Sequence, residues 1–177
     1  MAAYLLDANT LISAHRQYYP FDFCPGFWAW LEHKHSQGRI FSVDAVYAEL
    51  RRGDDELSQW AKAMNQKGFF LDAGKVDIVP AIAQLTRWVH ASNFTPEAID
   101  KFYKSGGQLS ADPVLIAYAK THGLVVVTNE KSEPEAKKTI KIPDVCKAIQ
   151  LKYIDLFALL RKEKIRLILK GGLPSCN

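Results

Sequence analysis

Short apolar runs alternate with helix-like patterns along this chain. Three runs are compact enough to predict buried strands, over 4–6, 39–42 and 124–127. The third has valine at three of its four positions, which is typical of a central strand in a parallel sheet. Apolar residues at three- and four-residue spacing, with helix-starting and helix-ending residues around them, predict helices elsewhere. These predicted helices cover 9–17, 27–36, 44–52, 55–66, 75–90, a segment beginning at 95–97, 114–122, 143–150 and 153–162.

The order of the predicted elements indicates the fold class and where a ligand would bind. The alternation of short strands and helices predicts an α/β fold with a parallel sheet. In such sheets, ligands bind beyond the carboxyl ends of the strands. The pattern does not decide between helix and strand over 165–169, and it predicts a chain break at Gly106 and Gly107.

Composition excludes several classes of protein. Hydrophobic residues make up 48% of the 177 residues and charged residues 24%, which is too apolar for a disordered chain. No apolar run approaches the roughly 20 residues of a membrane span, and residues 1–7 lack the basic start of a secretory signal. The three cysteines have no CxxC spacing, which argues against a disulfide framework or a zinc site. We expect a cytoplasmic protein with no membrane partner.

The net charge of +4 is unevenly distributed. Residues 1–130 carry 12 basic and 14 acidic side chains, whereas residues 131–177 carry 11 basic and 5 acidic ones, a net of +6. This asymmetry is consistent with a polyanionic partner. Lysines on solvated helix faces explain it equally well.

Four acidic residues lie near strand ends: Asp7, Glu49, Asp112 and Glu130. In a parallel sheet they would border one edge, where a hard cation such as Mg²⁺ or Mn²⁺ could bind their oxygens. Each acid also has a local explanation. Asp112 before Pro113 is predicted as a helix N-cap, and Glu49 could be a solvated residue at the edge of an apolar helix face.

Four short motifs follow one another along the chain: LLDANT, VYAEL, ADPVLIAYA and VVVTNE, at residues 5–10, 46–50, 111–119 and 125–130. In this order they resemble the motifs of PIN domains. The resemblance implies a single three-layer α/β/α domain over 1–177, with a short-stranded parallel sheet. The segment around 54–110 is longer than in compact PIN domains and is interpreted as a helical insertion. A longer PIN-like branch, similar to VapC-type toxin ribonucleases, has such an insertion and the same T-N-E ending.

The resemblance also implies a function. It suggests an endoribonuclease that uses Mg²⁺ or Mn²⁺, bound by the catalytic residues Asp7, Glu49, Asp112 and Glu130. Glu130 stands where the family usually has aspartate, and with its longer side chain it is expected to be a fourth ligand, directly or through water. Three further residues are expected to orient water or carboxylates, namely Asn9, Thr128 and Asn129. Many bacterial PIN domains are toxins of toxin–antitoxin pairs, so the expected partners are RNA, an antitoxin protein and a second copy of the chain.

Two other functions compete with this interpretation. Asp7, Asn9 and the threonine that follows resemble the D-x-D-x-T opening of haloacid-dehalogenase-type phosphotransferases. That family normally has an acid where Asn9 stands, which makes this reading poor. The other rival is a non-catalytic binding module on a PIN-like scaffold, against which the four retained acids argue.

Overall fold

The computed structural model describes residues 3–105 and 108–168. The strands are β1 (Tyr4–Leu6), β2 (Ile40–Val43), β3 (Phe70–Leu71), β4 (Lys104–Ser105), β5 (Gln108–Leu109), β6 (Val125–Val127) and β7 (Tyr153–Ile154). The α-helices are α1 (Ala8–Ser13), α2 (Pro25–Ser36), α3 (Asp44–Leu50), α4 (Glu56–Gln66), α5 (Val79–Ala91), α6 (Pro96–Tyr103), α7 (Ala111–His122), α8 (Ile142–Ala148) and α9 (Leu156–Lys162). A π-helical turn follows α1 over Ala14–Tyr18, and a 3₁₀ turn covers Ala73–Lys75.

A five-stranded parallel sheet forms the centre of the molecule. Its strand order is β3-β2-β1-β6-β7. In register, Tyr4 of β1 pairs with Ile40 on one side and Val125 on the other. The predicted α/β fold with a short-stranded parallel sheet is therefore confirmed.

Two strands of this sheet were not predicted. Both β3 and β7 have only two residues, too few for a period-2 pattern to be visible. The prediction of one helix over 153–162 was wrong, because Asp155 Oδ1 accepts a hydrogen bond from Ala158 N at 2.7 Å and starts α9 after the strand.

Two predicted helix starts also differ. Asp7, rather than Asn9 or Thr10, caps α1, since its Oδ1 accepts from Thr10 N at 2.6 Å. The prediction of Asp112 as an N-cap was wrong, because α7 begins at Ala111 and Ser110 occupies the cap position. Asp112 is thus free of the capping role that would have explained it locally.

The segment between α3 and α7, which was predicted as a helical insertion around 54–110, is only partly separate from the main sheet. Its β3 pairs with β2 in the main sheet, whereas β4 and β5 form an antiparallel pair of their own. Helix α5 packs on α7, and α6 leads into β4. The chain break predicted at residues 106–107 and the last residue of the undecided segment 165–169 lie outside the described residues; residues 165–168 are neither helix nor strand.

Helix α7 lies in the core. Residues 113–119 of it are all buried, which is why its sequence is apolar on every face. Gly123 ends the helix in the left-handed conformation, with φ of 64°, and β6 follows directly. Within the described part of the chain, no helix is both long and apolar enough to span a membrane.

Candidate functional site

The candidate site lies where the direction of strand order reverses. Moving outward from β1, the chain order runs one way through β2 and β3 and the other way through β6 and β7. Ligands in open α/β sheets bind at this point, beyond the carboxyl ends of the strands. Asp7 directly follows β1, and Thr128 directly follows β6.

Asp7 is a buried carboxylate, and each of its oxygens accepts one hydrogen bond. The residue is only 1% exposed to solvent. Oδ1 accepts from Thr10 N and Oδ2 accepts from the Thr128 hydroxyl, both at 2.6 Å. Burial is the main reason that its pKa rises from 3.8 to about 6; its hydrogen bonds oppose the rise, and the charge of Glu130 adds to it.

Glu49 connects two helices. It lies on α3, and its Oε1 accepts a hydrogen bond from Ala111 N, the first residue of α7, at 3.3 Å. That N–H has no partner inside its own helix. The contact holds α3 against the start of α7, one residue from Asp112.

Burial and the charges of the other three acids all raise the pKa of Asp112. Burial, followed by the charges of Glu130, Asp7 and Glu49, raises its pKa from 3.8 to about 7, and Lys141 lowers it. Among the described residues, no group donates a hydrogen bond to its carboxylate. The charges of the other three predicted acids therefore all act on Asp112, and that of Glu130 acts on Asp7 as well.

Glu130 reaches from the end of β6 to the start of another helix. Its Oε2 accepts from Ile142 N, the first residue of α8, at 2.8 Å. Its Oε1 lies 3.6 Å from Lys141 Nζ. The extra methylene that distinguishes glutamate from aspartate gives the side chain this reach.

Three of the four acids thus share one kind of contact. Asp7, Glu49 and Glu130 each accept a backbone N–H from the first turn of a helix, in α1, α7 and α8 respectively. Helix N-termini carry partial positive charge and stabilise carboxylates. Asp112 receives no such bond, which is consistent with its having the more strongly raised pKa of the two shifted carboxylates.

The residues predicted to support the acids lie in different places. Thr128 touches Asp7 directly, as described above. Asn9 is exposed and lines the cavity beside the acids. Asn129 is directed elsewhere: its Oδ1 accepts from Leu156 N at the start of α9, at 3.2 Å, and its buried Nδ2 has no hydrogen-bond partner in the described chain.

A cavity of about 430 Å³ opens at this edge of the sheet. Asn9, Ser110, Asp112 and Glu130 line it together with four lysines, Lys101, Lys104, Lys138 and Lys141. These lysines were not predicted as site residues from the sequence. The positive charge of residues 131–177 was the available signal for Lys138 and Lys141, whereas nothing in the sequence marked Lys101 and Lys104, which come from α6 and β4.

The donor chemistry of the site fits a hard divalent cation. The side chains that converge on Asp112 offer carboxylate oxygens, the ligands that Mg²⁺ and Mn²⁺ prefer. Their burial and mutual repulsion raise the pKa of Asp7 and Asp112, and a cation would relieve both. Within residues 3–105 and 108–168, however, no three His, Cys, Asp or Glu side chains are already arranged at the spacing of metal ligands. Asp7, Glu49 and Glu130 instead contact N–H, hydroxyl and ammonium groups.

The sequence matches the model of a domain of unknown function, DUF4411, over residues 4–167. The chain belongs to the DUF4411 family. A search of curated proteins found no significant match.

One solved structure is similar to this DUF4411 protein. It is described as the crystal structure of DNA-bound VapBC from Salmonella typhimurium, and the alignment covers 88% of this chain and 98% of that one, with a TM-score of 0.50 and 19% sequence identity. At this identity the likeness concerns the fold alone. The fold of the DUF4411 protein thus resembles the PIN domain of VapC.

Proposed function

We propose that this protein is an endoribonuclease that requires Mg²⁺ or Mn²⁺. One observation carries the proposal: the charges of Glu130, Asp7 and Glu49 all act on Asp112 at the strand-order reversal, and Asp112 and Glu130 line a cavity with four lysines. Acids alone would suit many cations, and lysines alone would suit many anions. Their combination suits a cation and a phosphodiester bound side by side.

The acids would hold the cation. In this proposal Asp7, Glu49, Asp112 and Glu130 supply its ligands, directly or through water. Such a cation provides Lewis-acid chemistry, in which water is acidified and charge on the phosphodiester oxygens is offset. Thr128 fixes the Asp7 carboxylate by a 2.6 Å hydrogen bond, and the N–H groups of Ala111 and Ile142 fix those of Glu49 and Glu130.

The lysines would bind the substrate backbone. Lys101 and Lys104 approach the cavity from the segment around 54–110, and Lys138 and Lys141 from the loop before α8. Because lysine acts as a point charge toward phosphate, this arrangement gives affinity without base recognition. The proposal therefore treats 1–177 as one PIN-like domain whose insertion contributes to the substrate site.

RNA and an antitoxin partner come from the resemblance to PIN domains. The four PIN-like motifs and the likeness to the VapBC structure support both parts of the proposal. The antitoxin would be a protein that binds the DUF4411 chain and covers the cavity. Co-expression with the product of an adjacent gene, followed by purification of a complex, tests this part separately from catalysis.

A non-catalytic binding module is the second candidate. One observation favours it, namely that the described acids are not already arranged as metal ligands. A cleavage assay decides between the two candidates. The protein is incubated with a mixed-sequence RNA in Mn²⁺, in Mg²⁺ and in EDTA, next to Asp112→Asn purified identically. Cleavage that needs the metal and is lost in Asp112→Asn supports the nuclease; RNA binding without cleavage by either protein supports the binding module.

A further inference from the structure

Lys141 is a partly buried lysine that forms an ion pair with Glu130. Its Nζ lies 3.6 Å from Glu130 Oε1, and the two side chains are only 26% and 15% exposed. Lysine is almost never fully buried without a paired acid, and Lys141 is partly withdrawn from solvent beside Glu130. It lines the same cavity as Asp112 and Glu130, which form the acidic centre together with Asp7 and Glu49.

The charge of Lys141 acts on more than one acid. It opposes the effect of Glu130, Asp7 and Glu49 on Asp112 and favours the ionised form of that carboxylate. The other three cavity lysines differ. Lys104 pairs with Asp100 on the exposed side of α6, while Lys101 and Lys138 are exposed and form no salt bridge within the described residues.

We infer that Lys141 is the resident counter-cation of the acidic centre and that it competes with a divalent cation for Glu130. This inference rests on the proposed function, since it assumes that the acids bind a cation. It assigns Lys141 a positioning role: its ammonium keeps the carboxylates together when no divalent cation is bound.

The geometry explains why the two cations would compete. Glu130 Oε2 accepts a hydrogen bond from Ile142 N, whereas Oε1 faces Lys141 and accepts no backbone N–H from the described residues, so Oε1 has more acceptor capacity open to another cation. A divalent cation at Oε1 would meet the ammonium at short range, and like charges at that distance repel strongly. The flexible four-carbon stem lets the ammonium swing away into the cavity, where a substrate phosphate would meet it.

The test measures Mn²⁺ binding to the full chain by calorimetry, without RNA. Lys141→Gln and Lys141→Met remove the charge, and Lys138→Gln removes an equal charge from the same cavity without breaking a described ion pair. We expect both Lys141 variants to bind Mn²⁺ about fivefold more tightly than the wild type, the effect of an ordinary ion pair. Lys138→Gln should change the affinity by less than about twofold, and Lys141→Arg should stay near the wild type.

A double-mutant cycle isolates the contact. In a Glu130→Gln background, Lys141→Gln should raise Mn²⁺ affinity clearly less than it does in the wild type, because only its effect on the other acids remains. The inference is overturned if the Lys141 and Lys138 variants shift the affinity equally, or if the gain is undiminished in Glu130→Gln. If the wild type binds no Mn²⁺, the proposed function fails and this inference fails with it, whereas binding with equal shifts overturns the inference alone. Circular dichroism of each variant checks that it is folded.

Discussion

Thr128 Oγ1 donates a 2.6 Å hydrogen bond to Asp7 Oδ2 and accepts another, at 3.1 Å, from Glu130 N. One hydroxyl thus joins the end of β1, the end of β6 and the backbone that carries Glu130. Thr128 is 2% exposed and Asp7 is 1% exposed, so water does not substitute for this contact. The relative position of two of the four acids depends on a residue that is not itself acidic.

Replacing Thr128 by valine should therefore destabilise the fold. Valine has nearly the same shape, but it leaves Asp7 Oδ2 and Glu130 N without their partner. We expect the free energy of unfolding to fall by about 1–3 kcal/mol, the cost of an unsatisfied buried polar group. Urea unfolding followed by tryptophan fluorescence measures it. Thr128→Ser keeps the hydroxyl and serves as the control; if serine is as destabilising as valine, packing of the threonine methyl and not the hydrogen bond is responsible.

Asp112→Asn should abolish catalysis without harming the fold. Its carboxylate accepts no hydrogen bond from the described residues, so the substitution removes a negative charge without breaking a hydrogen bond. We expect cleavage of RNA to drop by about 10²-fold or more, since the variant weakens the cation site. The free energy of unfolding should stay equal or rise, because a repelling charge is gone.

The matched control for Asp112 is another acid that is not near the cavity. Asp55 caps α4 through a 2.9 Å bond to Ser58 N, and asparagine caps a helix as well as aspartate does. Asp55→Asn should retain full activity. Wild-type rates in Asp112→Asn, with metal supplied and contaminating nucleases excluded, would contradict the assignment of the site.

The metal-free protein should lose stability as the pH rises. The pKa of Asp7 is raised from 3.8 to about 6 and that of Asp112 from 3.8 to about 7. Between about pH 4 and pH 7 the folded state therefore holds more protons than the unfolded chain, so the free energy of unfolding falls with increasing pH. Both contributions are fully present below about pH 4 and are lost by about pH 7.

Urea unfolding in EDTA across this pH range checks the expectation. Asp112→Asn should flatten the slope, most of all near pH 7, where Asp112 keeps more of its proton than Asp7 does. Saturating Mn²⁺ should reverse the slope, because it binds the ionised carboxylates of the folded state. An unchanged slope in Asp112→Asn would mean that another group determines the pH dependence.

The strands that place the acids could be predicted from the sequence better than the hydrogen bonds that the acids form. The position of Asp7 after a buried strand and of Glu130 after another followed from runs of apolar residues, and the parallel pairing of Tyr4 with Val125 confirms the arrangement of those strands. The reach of Glu130 to Ile142 N could not be predicted, because the two are 12 residues apart in a loop without periodicity. The caps failed for a related reason: whether Asp7 or Asn9 caps α1 depends on where the chain turns, which propensity alone does not determine.

The cavity lysines show the same limit for residues far apart in the chain. Lys101 and Lys138 line one cavity, but they belong to α6 and to a loop beyond β6. Surface lysines carry no periodic signal, and only the tertiary structure places them together. The charge asymmetry of residues 131–177 pointed to a polyanion without indicating which of its lysines would face one.

Those lysines should set the salt dependence of RNA binding. Each phosphate contact releases counterions, so the logarithm of the binding constant for a single strand falls by roughly 0.7 per contact per tenfold increase in salt. Replacing Lys101, Lys104 and Lys138 together by glutamine should therefore weaken binding at low salt and reduce this slope by up to about 2. The measurement is fluorescence anisotropy of a labelled RNA, in an Asp112→Asn background so that the RNA stays intact.

A control triple variant removes the same charge from exposed lysines that do not line the cavity, Lys62, Lys152 and Lys162. If both triple variants reduce the slope equally, RNA binding depends on the net charge of the protein and not on the cavity lysines. The substrate would then not bind beside the acids.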